Sequence, residues 1–275
     1  MSNGTTIQDK AQTLQSLHQA PEILQVVNVW DVISARTIAG LPETRALATA
    51  GHSIAASLGY PDGGMPLDTA LEAAGRIAQS VDLPVSADLD DGYDEPGETV
   101  RRAIGLGIVG ANVEDRMRPF DEAVARVRAI VRAAEAEGVA FQLNARTDAL
   151  LRGGDAPIDE RIDEAIRRGR AFLDEGAAVV FVPGAIQRPH VERIVEGLGR
   201  GKLSVIGFPG ALPAKGYEEL GVARISYGPL TQRAALRALR DLGESLYAGG
   251  VIPADTPEPE LTPVLSSCSP SLRSS

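Results

Sequence analysis

Several common chemistries have little to work with in this chain. Its 275 residues include one cysteine, Cys268, in a Ser/Pro-rich C-terminal stretch. A single cysteine forms no intrachain disulfide, and a thiolate metal centre is excluded. Three histidines, His18, His52 and His190, lie far apart with no metal-ligand spacing. Aromatic residues make up only 4% of the chain, too few for the stacking platforms that bind single-stranded nucleic acid. Positive charge is in deficit. With 27 Lys and Arg against 37 Asp and Glu, the net charge is −10, which argues against nucleic acid or an anionic membrane as partner. Apolar runs stay near the length of VVFVPGAI, well short of the roughly 18 residues a membrane span needs. The first residues, MSNGTTIQDKAQTLQSLHQ, hold no basic segment followed by an apolar core and do not read as a secretory signal. Neither GxGxxG nor GxxxxGK(S/T) follows any strand-like segment, so the dinucleotide and P-loop readings fall away. The expectation left standing is a cytoplasmic protein with a small-molecule partner.

What the chain does have is alternation. Hydrophobic residues at 44% suit a globular fold. Short apolar stretches predict strands at Gln25–Trp30, Arg45–Ala50, Pro84–Asp88, Gly110–Glu114, Ala140–Arg146, Ala178–Val182, Leu203–Gly207 and Ala223–Tyr227. Helical patterns fall at Leu67–Ser80, Glu98–Leu106, Asp121–Glu137, Ile158–Glu175, Pro189–Leu198, Pro213–Leu220 and Leu230–Tyr247. In the third of these Val124, Val127, Val131 and Ala134 share one face; Asp121 is placed to cap it and Gly138 to end it. Strands alternating with helices imply parallel pairing through right-handed crossovers. About eight such units in one domain's length favour a (β/α)8 TIM-type barrel over an open sheet. The barrel domain is expected over 1–248, with Ile7–Ala20 a helix closing one end, and 249–275 as a Pro/Ser-rich tail.

Active sites of such barrels gather at the carboxyl ends of the strands. Those ends read Trp30–Asp31, Ala50–Gly51–His52, Asp88–Leu89–Asp90–Asp91, Glu114–Asp115–Arg116 and Asn144–Ala145–Arg146. Core strands rarely finish with so many acids. Asp88 and Asp90, two apart, share one side of an extended segment. Paired carboxylates repel unless they share a proton or a cation, and Glu114 can join them. Oxygen-only ligands point to Mg²⁺ or Mn²⁺; an acidic turn that merely starts the next helix is the competing reading. Arg146 can clamp a substrate carboxylate with its planar fork, or serve as a structural partner of Asp148. His52 and Trp30 have bland readings as a bystander and a pocket wall, and Asp91 and Asp115 as solvated loop acids.

The same segments resemble the phosphoenolpyruvate mutase/isocitrate lyase superfamily. The matching motifs are WDVISAR (Trp30–Arg36), TAGHSIAASLGYPDG (Thr49–Gly63), PVSADLDDGYD (Pro84–Asp94), GANVEDR (Gly110–Arg116) and NARTDA (Asn144–Ala149), with GVARISYGPLTQRA (Gly221–Ala234) matching more weakly. The resemblance implies a (β/α)8 barrel whose last helix is exchanged within a homodimer or homotetramer. It implies Mg²⁺ held directly or through water by carboxylates matching Asp62, Asp88, Asp90 and Glu114. It gives the backbone N–H groups of Gly51 and His52, with Arg146, to a developing oxyanion. Asp62, Glu114 and Arg146 are the catalytic candidates on this basis. Trp30, Asp31, Ala50, Gly51, His52, Asn144, Arg146 and Arg233 are the substrate-binding ones. The implied chemistry is carbon–carbon cleavage of a small 2-oxo or 2-hydroxy carboxylate, by retro-aldol reaction or decarboxylation through an enolate. Two alternatives are a P–C bond mutase and a non-catalytic 2-oxo acid binding protein. The departures set the subgroup: Met117–Arg118–Pro119–Phe120 replaces the lyase cysteine loop, Pro183 stands at a usual His or Glu position, and Ala50 replaces the usual Ser.

Overall fold

A computed structural model describes residues 5–185 and 187–256. Nine strands form one sheet: β1 (Leu24–Val26), β2 (Asn28–Val29), β3 (Leu47–Thr49), β4 (Val85–Asp88), β5 (Gly110–Glu114), β6 (Gln142–Arg146), β7 (Val179–Phe181), β8 (Leu203–Ile206) and β9 (Arg224–Ser226). The spatial order is β1-β9-β8-β7-β6-β5-β4-β3-β2, and every pairing is parallel. This is the expected (β/α)8 barrel, with one refinement. The first expected strand, Gln25–Trp30, is broken at Val27, so β1 pairs with β9 while β2 pairs with β3. Asn28 seals that seam. Its amide donates to the Thr49 carbonyl at 3.0 Å and accepts from the N–H groups of Tyr227 and Gly228 at 2.7 and 2.8 Å.

Eleven helices surround or close the sheet among the described residues. Helix α1 (Ile7–Gln19) starts on a capping box between Thr6 and Asp9 and plugs the end of the barrel where the strands begin. Its Leu14 lies against Gly110, where an added Cβ would come within 2.9 Å of Leu14 Cδ2. Most expected helices appear within two residues of their bounds, among them α4 (Leu67–Gln79), α6 (Phe120–Ala136), α8 (Ile158–Asp174) and α11 (Leu230–Tyr247). Asp121 does not cap α6. Pro119 occupies the cap position, and Asp121 and Glu122 sit in the first turn, where the helix dipole favours acids. Gly138 does follow the end of α6, with φ +66°.

Three helices lie outside the expected set: α2 (Val32–Ala39), α3 (Gly51–Leu58) and α7 (Ala149–Arg152). Each spans eight residues or fewer, too short for a helical period to stand out. The core consists of apolar strand and helix faces, and Leu71, Ala74 and Ile77 of α4 share one buried cluster with Leu47 and Val85. The last helix differs: Leu236, Leu239, Leu246 and Tyr247 of α11 are exposed. No helix among the described residues is long and apolar enough to cross a membrane. Of the expected 249–275 tail, residues 257–275, Cys268 included, lie outside the described residues.

Candidate active site

A cavity of about 360 Å³ opens at the carboxyl ends of the strands. Asp88, the last residue of β4, stands on its wall in a defined orientation. The Gly51 N–H donates to its Oδ2 at 3.0 Å, and the Asn112 amide donates to its Oδ1 at 3.2 Å. Its own N–H donates to Thr49 Oγ1 at 2.9 Å. Gly51 packs closely on this carboxylate: a Cβ there would sit 3.1 Å from Asp88 Oδ2, so the carboxylate would have to shift. The parallel register pairs Asp88 with Asn112 and Glu114 with Arg146, so Glu114 rises two residues beyond Asp88's partner. The Arg146 terminal nitrogen Nη1 meets Glu114 Oε2 at 2.9 Å, and its Nε donates to Asp148 Oδ1 at 2.7 Å. Asp148 is fully buried and also pairs with Arg152 at 3.0 Å. The Arg146 guanidinium lies 5.8 Å from the centre of the Phe181 ring.

Asp90 reaches the cavity by another route than strand alternation. The strand ends at Asp88, and Asp90 turns with φ +51°, a left-handed conformation that Asp tolerates better than most residues. Tyr93 OH donates to Asp90 Oδ2 at 3.4 Å. Burial, together with the charges of Asp88, Glu114 and Asp62, pushes the Asp90 carboxyl up to about 7, against the opposing pull of Arg116. Glu114 is also raised, by burial first, although Arg146 opposes the shift. Burial works against the charge on Arg146, and Glu114 and Asp148 outweigh it.

Of the residues singled out from sequence, Asp62, Asp88, Asp90, Glu114, His52, Asn144 and Arg146 line this one cavity. His52 Nδ1 stands 3.4 Å from Asp62 Oδ2 at the open lip. Others lie elsewhere. Trp30 and Asp31 border a separate depression with Ile33 and Leu58, and Asp31 uses its carboxylate to cap α2 through the Ser34 N–H at 2.7 Å. Ala50 is the buried residue before α3. Arg233 is exposed on α11. The Gly51 N–H, given to the oxyanion by the resemblance, donates to Asp88 in this structure. Asp91 and Asp115 are not solvated. Asp91 pairs with Arg118 at 2.7 Å, and buried Asp115 accepts from Met117 N–H, Asp148 N–H and Arg168.

Sequence reasoning passed over Asn28, Asn112 and Arg224, and the apolar lining residues Leu151, Phe181, Ile206 and Phe208. An arginine inside the apolar strand ARISY was the one available signal.

A parallel (β/α)8 barrel with clustered carboxylates and an anchored arginine at its strand ends defines a class of enzymes that act on small anions. The phosphoenolpyruvate phosphomutase family model matches residues 14–247, and the chain belongs to that family. It is 30% identical over 258 residues to a probable 2-methylisocitrate lyase of Corynebacterium glutamicum, covering 86% of this chain and 81% of that one. Among solved structures, 2,3-dimethylmalate lyase is 27% identical with a TM-score of 0.82, covering 94% of this chain and 95% of that one. Oxaloacetate acetylhydrolase bound to its product oxalate is 28% identical, also with a TM-score of 0.82, covering 93% of both chains.

Proposed function

We propose that the chain is a lyase that breaks a carbon–carbon bond in a small 2-oxo or 2-hydroxy di- or tricarboxylate, with Mg²⁺ or Mn²⁺ as cofactor. The observation that carries this reading is the meeting of Asp88, Asp90 and Glu114 with the Arg146 guanidinium in one cavity. The donor set suits a hard divalent ion, and the crowding that raises Asp90 is what a dication relieves. No three Asp, Glu, His or Cys side chains converge at direct-ligand spacing among the described residues. The ion would therefore be held by one or two carboxylates, Asp88 first, with Asp90 and Glu114 acting through water, an arrangement Mg²⁺ favours. Bound there, it supplies stabilisation of negative charge on the 2-oxo oxygen.

The remaining work belongs to the chain's own side chains. Glu114 and Asp148 fix the plane of the Arg146 guanidinium, and its second terminal nitrogen is left for a substrate carboxylate without further reorganisation. Gly51 and Asn112 hold Asp88 in its bonding orientation. Leu151, Phe181, Ile206 and Phe208 add apolar surface to the same cavity as Arg116, Arg146, Arg152 and Arg224. Pro183, at the position where the resemblance expects the mutase histidine, disfavours the P–C mutase alternative. The names of the relatives, two lyases and an oxaloacetate acetylhydrolase, support the same reading. The exposed leucines of α11 favour packing on a second copy, in a homodimer or homotetramer. A cytoplasmic location is part of this proposal, supported by relatives named for metabolic enzymes.

A keto-acid release assay over malate, citrate and oxaloacetate analogues, with and without Mg²⁺, tests the activity. Metal-dependent product from at least one analogue is expected, whereas oxalate binding without turnover of any would leave a binding protein. Asp88→Ala should abolish divalent-ion binding in calorimetry, and unchanged affinity would overturn the site. Isocitrate and methylisocitrate should be poor substrates, since no thiol lines the cavity among the described residues and a missing general acid costs about 10²–10⁴-fold.

A further inference from the structure

The barrel interior beneath the acids departs from the usual filling of branched apolar side chains. Arg224, on β9, is fully buried and reaches across the barrel, where its Nη1 donates to Ser86 Oγ at 3.2 Å. Its Nε has no hydrogen-bond partner in the protein, and no carboxylate lies within ion-pair distance of it among the described residues. A guanidinium keeps its proton in proteins, so this side chain places an unneutralised positive charge inside the barrel. Ser86 and Asp88 are two apart on β4 and both line the cavity, as does Arg224. The cation thus sits one layer below Asp88. Its neighbour in register is Ser204, whose buried hydroxyl also lacks a protein partner. On the plug side it faces His18, whose imidazole is pushed down to about 3 by burial and by the Arg224 charge. Burial lowers Arg224 itself to about 10, and Asp88 is the charge that resists this.

We propose that Arg224 is a positioning residue that sets the ionic balance of the cavity: its fixed charge weakens the hold of the acidic cluster on a divalent cation and strengthens the hold of the site on an anionic ligand. The inference rests on the reading of this cavity as a metal and carboxylate site. The reason is sign alone. A buried cation beside Asp88 opposes an incoming dication and favours an incoming dianion, and in a poorly screened interior both effects are large. A structural strut would move both affinities in the same direction, or neither.

The test is Mn²⁺ binding measured by titration calorimetry, oxalate binding measured at saturating Mg²⁺, and thermal unfolding, each for the parent, Arg224→Met, Arg224→Gln and Arg224→Lys. Both neutral variants should bind Mn²⁺ at least about fivefold more tightly and oxalate at least about fivefold more weakly. Arg224→Lys, which keeps the charge, should restore both affinities. The Arg224→Met variant should melt no earlier than the parent, since a buried charge without an ionic partner is replaced by an apolar chain of similar length. Failure of both neutral variants to fold, or a fall in both affinities together, would overturn the proposal and make Arg224 a structural residue. Absence of Mn²⁺ binding by the parent would overturn the metal reading of the cavity, and this inference with it.

Discussion

Asp90→Asn is the sharpest perturbation of the acidic cluster. Burial and three neighbouring carboxylates carry Asp90 from its ordinary 3.8 to about 7. At about 1.4 kcal/mol per pH unit, ionised Asp90 costs the folded, metal-free protein about 4 kcal/mol. Its partial contact with solvent lowers that to roughly 2–4 kcal/mol. The direction follows from the raised value. The folded state binds the proton more tightly than the unfolded chain does, so this group's contribution to stability is complete below about pH 4 and is lost as pH rises through about 7. The amide removes the charge and can still accept from Tyr93 OH. In the presence of a chelator the variant should therefore melt at least about 4 °C higher than the parent at pH 8, using roughly 2–4 °C per kcal/mol for a chain of this size, and gain only about a third of that at pH 5. Scanning calorimetry of both proteins at the two pH values isolates Asp90, because every other titrating group is common to them. Saturating Mn²⁺ should reverse the order at pH 8 by stabilising the parent. An equal difference in melting temperature at pH 5 and pH 8, or a variant that melts lower at pH 8, would refute the reasoning.

Two further predictions concern the arginines that hold the site together. Arg146→Lys should weaken oxalate binding at saturating Mg²⁺ by about ten- to a hundredfold, since a hydrogen bond to a charged group is worth about 1.5–3 kcal/mol. Its melting temperature should change little, because lysine keeps the charge facing Glu114 and Asp148; early melting with normal oxalate binding would assign Arg146 to structure. Asp115→Ala leaves Arg168 and two backbone N–H groups without their buried acceptor. It should cost about 3–5 kcal/mol, read as a drop of roughly 6–20 °C in thermal unfolding, and a drop below 3 °C would contradict the buried ion pair.

Much of this protein is determined by local pattern. Period and spacing reveal the alternation of strands and helices, because apolar residues must face a core whatever the topology. The strand ends carry Asp88, Glu114 and Arg146 in sequence positions that parallel pairing brings together, so these residues were legible before any coordinates. Even the strand break at Val27 left a trace in Asn28, a polar residue within an apolar run. What sequence could not decide depends on contacts between distant segments. Asp90 joins Asp88 through a left-handed turn, not through strand alternation, and backbone conformation of that kind is set by what surrounds it. Trp30 and Asp31 end a strand as the site residues do, yet the chain turns at that point and Asp31 caps α2. Gly51 is committed to Asp88, 37 residues away in sequence, and Arg224 reaches Ser86 across 138. Hydrogen bonding and desolvation act over a few ångströms of space, and only the closed barrel decides which residues come that near.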